Sequence, residues 1–116
     1  MSTEDSKPGI LQGTLDLMVL RTLATMGPQH GFGLAKRIQQ ISDGALALNQ
    51  GTLYPALLRL DQRRWVKSKW GASEAGRRAR FYEITAAGRR AMERESEDWA
   101  RTVALMDRFV RLAPEE

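Results

Sequence analysis

Residues 49–70 read NQGTLYPALLRLDQRRWVKSKW, and within them the spacing of the apolar residues changes period. Leu53, Leu57 and Leu60 step by four and then three, with Ala56 beside them, which gives a helix from about Gln50 to Arg63 one apolar face. Asn49 suits the N-cap of that helix, and Pro55 stands so near its start that at most one or two helical hydrogen bonds suffer. The opposite face carries Thr52, Arg59, Gln62 and Arg63. From Trp65 onward the residues are aromatic and β-branched, so Trp65–Trp70 reads as a short strand and Arg80–Ile84 as a second. Between them GASEAGRR, residues 71–78, is a loop with a glycine near each end and two arginines leading into the second strand. A helix followed at once by a hairpin with a basic tip decides the fold.

Two helices precede this unit. Thr14 is placed to cap the first, which runs to about Met26 and is apolar almost all round at Leu15, Leu17, Met18, Val19, Leu20, Leu23 and Ala24. A helix of that kind is buried on most sides. Gly27-Pro28 ends it. The second runs from about Gly31 to Ile41, with Leu34, Ile38 and Ile41 at helical spacing and Lys36, Arg37, Gln39 and Gln40 outward. Ser42-Asp43-Gly44 breaks it. After the hairpin, Thr85 caps a last helix that reaches about Leu112. The expected fold is mainly α with a small β-hairpin: a winged helix-turn-helix domain over residues 10–85 and a long C-terminal dimerisation helix over 86–112. A disordered N-terminal segment, residues 1–9, and a tail, residues 113–116, flank them.

Composition narrows the function. The chain has 116 residues and no cysteine, which suits one domain and excludes disulfides, zinc fingers and thiol catalysis. Residues 1–9 lack the apolar run of a signal peptide, and no stretch approaches 18 apolar residues, so the expected location is the cytoplasm. The net charge of +4 is unevenly spread. Residues 59–90 hold ten Lys/Arg against three acids, which leaves an excess of acids in the remainder. So concentrated an excess attracts a polyanion, nucleic acid first and a membrane surface second, unless it is merely a solvated face.

Three helices and a basic hairpin, in that order, place the third helix in a DNA major groove with its N-terminal residues at the base edges. Here those are Asn49, Gln50 and Thr52: Asn and Gln read adenine bidentately, and Thr bonds a base or touches a thymine methyl. Asn49 also has a plain role as a cap. Lys67, Lys69, Arg77, Arg78 and Arg80 place the wing along the backbone or in a minor groove, and Lys36, Arg59 and Arg63 are further candidate contacts. Arg59 and Arg63 read equally as solvated helix residues.

In the last helix Met92, Ser96, Trp99, Val103, Met106 and Val110 step by four and three in alternation, a heptad seam with one polar member. Leu105, Phe109 and Leu112 form a second stripe, and the joint apolar arc is too broad for one partner surface. The simplest account turns one face to a second copy of the chain and the other to the chain's own first helix. Trp99, with Val103 beside it, is interface core or a site where two copies flank a planar aromatic effector.

Several stretches resemble the PadR-like transcription regulators. They are LQGTLDL (11–17), HGFGL (30–34), GTLYPAL (51–57), Arg59-Leu60 and FYEITAAGR (81–89), so the resemblance covers roughly residues 10–112. Phe32 departs from it, because the family often has tyrosine there. The resemblance implies a homodimeric repressor of the short subgroup, held together chiefly by its C-terminal helices and released from double-stranded DNA by an effector. It also implies that Tyr54 lies near the DNA backbone, although a half-buried tyrosine of the third helix is an equal reading. Some such regulators bind planar drugs or phenolic acids.

An enzyme is not expected. His30, the single histidine, sits at a helix start where capping explains it, Gly31-x-Gly33 lacks the third glycine of a dinucleotide fingerprint, and Glu93, Glu95, Glu97 and Asp98 form no metal set. No cofactor is expected. The rival function is a winged helix used for protein–protein contact without DNA.

Overall fold

The computed structural model describes residues 12–115, so the N-terminal segment expected to be disordered lies outside the described residues. The elements follow as α1 (Gln12–Met26), β1 (Gln29–His30), α2 (Gly31–Ile41), α3 (Gln50–Gln62), β2 (Val66–Ala72), β3 (Arg78–Ile84) and α4 (Ala86–Val110). This is a winged helix-turn-helix with one long helix appended. α1 is already helical at Gln12, so Thr14 lies inside its first turn instead of capping it. Both hairpin strands reach further toward their turn than the apolar pattern indicated. A third strand, β1, adds to the free edge of β3, giving the antiparallel order β1-β3-β2. Two residues long, it has no periodicity to read.

α1 is the centre of the domain. Val19, Leu20 and Leu23 are fully buried, and the helix touches α2, α3, β3 and α4, which accounts for its all-round apolar surface. Leu34 and Ile38 of α2, Leu53, Ala56, Leu57 and Leu60 of α3, and Val66, Tyr82 and Ile84 of the sheet close around it. Ile41, expected inward, is 58% exposed, because α2 ends at that turn.

The chain turns sharply where α3 gives way to the wing. The N–H of Arg64 donates to Asp61 O and that of Trp65 to Leu60 O, both at 2.9 Å, which satisfies carbonyls the helix end leaves open. The motif needs a left-handed residue at Arg64, whose φ is 63°. Thr85, just before α4, ties down the same turn. Its hydroxyl donates to Arg64 O at 2.7 Å and accepts the Gly88 N–H at 3.0 Å, while its own N–H donates to Trp65 O.

Only the root of α4 belongs to the domain. Gly88, Ala91 and Met92 are buried, whereas from Glu97 to its end every residue of the helix is exposed. The long axis of the chain, 66 Å, reflects this projection. Two expectations change accordingly. Met92, read as the first member of a seam between subunits, is 7% exposed and packs in its own core. The stripe Leu105, Phe109 and Leu112, read as facing α1, is exposed instead, because the helix leaves the domain too soon to lay that stripe on it.

Gly88 is where the fold tolerates least. A Cβ there would lie 2.1 Å from the carbonyl oxygen of Trp65 and 2.8 Å from Ile84 Cγ1. Backbone cannot yield as a side-chain tip does. Gly88→Ala is therefore expected to lower stability by about 2–3 kcal/mol, read as a fall in melting temperature of roughly 10 °C or more. An unchanged melting temperature would refute the contact.

Candidate nucleic-acid interface

The start of α3 is built by its cap. Asn49, in extended conformation, accepts the Thr52 N–H on Oδ1 at 3.0 Å, so its carbonyl is committed within the helix. Gln50, Gly51, Thr52, Tyr54 and Pro55 are exposed around it. The start of α2 is close by. His30 Nδ1 accepts the Gly33 N–H at 3.0 Å, the capping role expected of the single histidine. A Cβ on Gly31 would come within 2.7 Å of the Tyr54 hydroxyl, so the glycine lets the tyrosine lie across the start of α2. Phe32, beside them, is exposed.

Strand register sorts the wing's cations. Val66, Ser68, Trp70 and Ala72 oppose Ile84, Tyr82, Arg80 and Arg78, and opposed residues share a face. That face begins in the core at Val66 and Ile84 and continues outward along α3. Lys67 and Lys69 point the other way, across from Glu83 and Phe81, and Arg77 lies in the turn. The five cations therefore do not make one surface: Arg78 and Arg80 accompany α3, and Lys67 and Lys69 do not. Among the described residues none of the five forms an ion pair.

Between α3 and the wing runs an open groove of about 460 Å³ lined by Tyr54, Pro55, Leu57, Leu58, Asp61, Ser68, Arg80 and Tyr82. Burial raises the Tyr82 phenol above its ordinary value despite nearby Arg80, which keeps the hydroxyl a neutral donor. Arg63 ends α3 and lies over the Trp65 ring at 5.1 Å, and Lys36 stands exposed on α2.

Arg59 departs from its expected place. It turns inward, with Nη2 2.7 Å from Oδ1 of Asp16, a carboxylate that is 2% exposed in α1. Asp16 was overlooked in the sequence, although an acid inside an otherwise apolar helix signals a buried partner. Trp70 reads in the sequence as an ordinary strand residue. Its neighbours follow from the register, which the long turn left open in the sequence.

The fold and the exposed helix start define a winged helix-turn-helix of the DNA-binding kind. Residues 19–94 match the Transcriptional regulator PadR-like family, and the chain belongs to that family of regulators, which are not enzymes. It is similar to a transcriptional regulator from Clostridium thermocellum, at 29% identity, 86% of this chain, 96% of that one and a TM-score of 0.78. A PadR family transcription regulator from Clostridium difficile gives 26% identity, 83% and 97% coverage and a TM-score of 0.70. A PadR-like transcriptional regulator from Bacillus cereus, at 20% identity, 91% and 100% coverage and a TM-score of 0.77, shares the fold. Among the described residues no helix is long and apolar enough to cross a membrane.

The pair Asp16–Arg59 makes a direct prediction. Arg59→Ala leaves a buried carboxylate without its cation and is expected to destabilise the chain by about 2–3 kcal/mol in urea unfolding. Asp16→Asn in the same background should recover most of that loss. No recovery would mean that the pair is not what Arg59 contributes.

Proposed function

We propose that the chain is a homodimeric repressor that binds double-stranded DNA sequence-specifically, α3 in the major groove and the wing along the flanking backbone. The carrying observation is that Tyr54, near the exposed start of α3, and Arg80 of the wing line one groove, with Gln50 and Thr52 exposed on the same helix start and Arg78 on the same wing face, neither arginine in an ion pair among the described residues. Asn49 holds the helix start, so bidentate reading of adenine falls to Gln50. Exposed Tyr54, Arg63, Arg77 and Lys36 are assigned to phosphate contacts in this reading, and Lys67 and Lys69 to long-range attraction only. Arg59 acts through the fold. Repression follows from occlusion, since a dimer seated on a promoter excludes polymerase by volume.

The dimer reading rests on two exposed apolar surfaces. One is α4 from Glu97 outward and the residues just past its end at Val110, with Trp99, Val103, Met106 and Val110 on one line and Leu105, Phe109 and Leu112 on the next. The other is a groove of about 550 Å³ between α1 and α2, lined by Leu17, Met18, Met26, Ile38, Ile41 and Leu46. A second copy covers both: its α4 pairs with the first line, and its α1–α2 groove takes the second. Trp99, half exposed and without a ring partner in its own chain among the described residues, then stands near its counterpart, where a planar aromatic effector fits between two indoles. Such an effector alters DNA affinity only by its differential affinity for the two dimer geometries.

Binding to a random duplex tests the first part against a winged helix that contacts only protein. With about four phosphates neutralised per subunit, log K against log salt should fall with a slope of roughly −7. A slope near zero, or no binding at about 50 mM salt, would favour the rival. Sedimentation tests the second part. Val103→Asp with Met106→Asp should give folded monomer, and Ile41→Asp alone should weaken the dimer at least about tenfold, since it places a charge in the groove. A dimer unaffected by Ile41→Asp would restrict the interface to α4.

A further inference from the structure

On the α3 side of the wing, Trp70 is 55% exposed and carries two guanidinium groups on its ring. Arg78 Cζ lies 4.5 Å and Arg80 Cζ 5.6 Å from the ring centroid. The register sets Arg80 directly across from Trp70 and Arg78 two pairs nearer the turn, across from Ala72 and so on the same face. Arg80 Nε–H also donates to Ser68 Oγ at 2.8 Å. Neither arginine has a carboxylate partner among the described residues. Two like charges this close repel, and the negative face of the indole offsets that repulsion.

Stacking occupies the flat face of a guanidinium and leaves its N–H edge free to donate. A solvent-facing arginine otherwise samples many rotamers and must be ordered when it binds phosphate. We propose that Trp70 is a positioning residue for nucleic acid, its indole holding Arg78 and Arg80 side by side as a preformed clamp for backbone phosphates. The proposal rests on the DNA-binding reading above and deepens it. Phosphate is the matching ligand because two cations on one indole keep N–H groups to donate, and Arg80 shares its groove with Tyr54 near the exposed start of α3, beside which the proposed duplex backbone would pass.

The test uses the full chain and a labelled random duplex, with thermal melting to check that each variant folds. Trp70→Leu should weaken binding about five- to tenfold with an unchanged salt slope, because the same phosphates are contacted less readily. Trp70→Phe, which keeps an aromatic face, should stay within about twofold of wild type. In an Arg78→Ala, Arg80→Ala background, adding Trp70→Leu should cost nothing further. In NMR spectra of the free protein the Nε–H groups of both arginines should be rigid, and Trp70→Leu should release them.

Trp70→Leu binding like wild type overturns the proposal alone, as do arginines already mobile in wild type. Further loss in the arginine-free background would mean that Trp70 itself touches DNA, which also overturns it. Failure of wild type to bind any duplex would overturn the DNA-binding reading together with the clamp.

Discussion

The geometry of this chain hangs on the contact between the Trp65 carbonyl and the first turn of α4. At that point α3 has just ended, the wing begins, and the projecting helix takes its direction. Thr85 bonds to both sides of the junction, and Gly88 admits the carbonyl where any side chain would collide with it. The left-handed conformation of Arg64 belongs to the same turn, and such a residue persists only where its surroundings hold it. Three elements with different tasks thus share one rigid origin. The junction joins α4 to α3 and the wing directly, and it is the route by which an event in the proposed dimer seam would reach DNA.

The second constraint is α1. Buried on most sides, it fixes α3 through apolar packing and through the ion pair of Asp16 with Arg59. A buried pair of this kind is a weak source of net stability but a strict one of register, because either partner alone is left uncompensated. The exposed start of α3, by contrast, is held by a cap and by the close approach of Gly31 to Tyr54. The domain is stiff where it packs and open where it is proposed to read DNA.

Periodicity made much of this legible. The apolar steps at Leu53, Leu57 and Leu60, and the shift to aromatic and β-branched residues after Trp65, located α3 and the wing to within a few residues. The caps at His30, Asn49 and Thr85 could be read because their chemistry is local. Features set by tertiary geometry escaped. β1 is too short to carry a pattern, and Arg59 looked like a surface cation because its partner is 43 residues away in sequence. The heptad line from Met92 to Val110 carries no mark of where the helix leaves its own domain, so Met92 was grouped with residues that lie beyond it. The division of wing cations between two faces needed the strand register, which a long turn does not fix.

The central claim is that two copies of this chain present two α3 helices to one face of a duplex. Hydroxyl-radical footprinting on the DNA upstream of the protein's own coding sequence tests it most directly. The account predicts two protected patches about one helical turn apart, roughly 34–36 Å, on the same face, each with a flank contributed by a wing. Uniform cleavage at protein concentrations where the dimer is fully formed would contradict it.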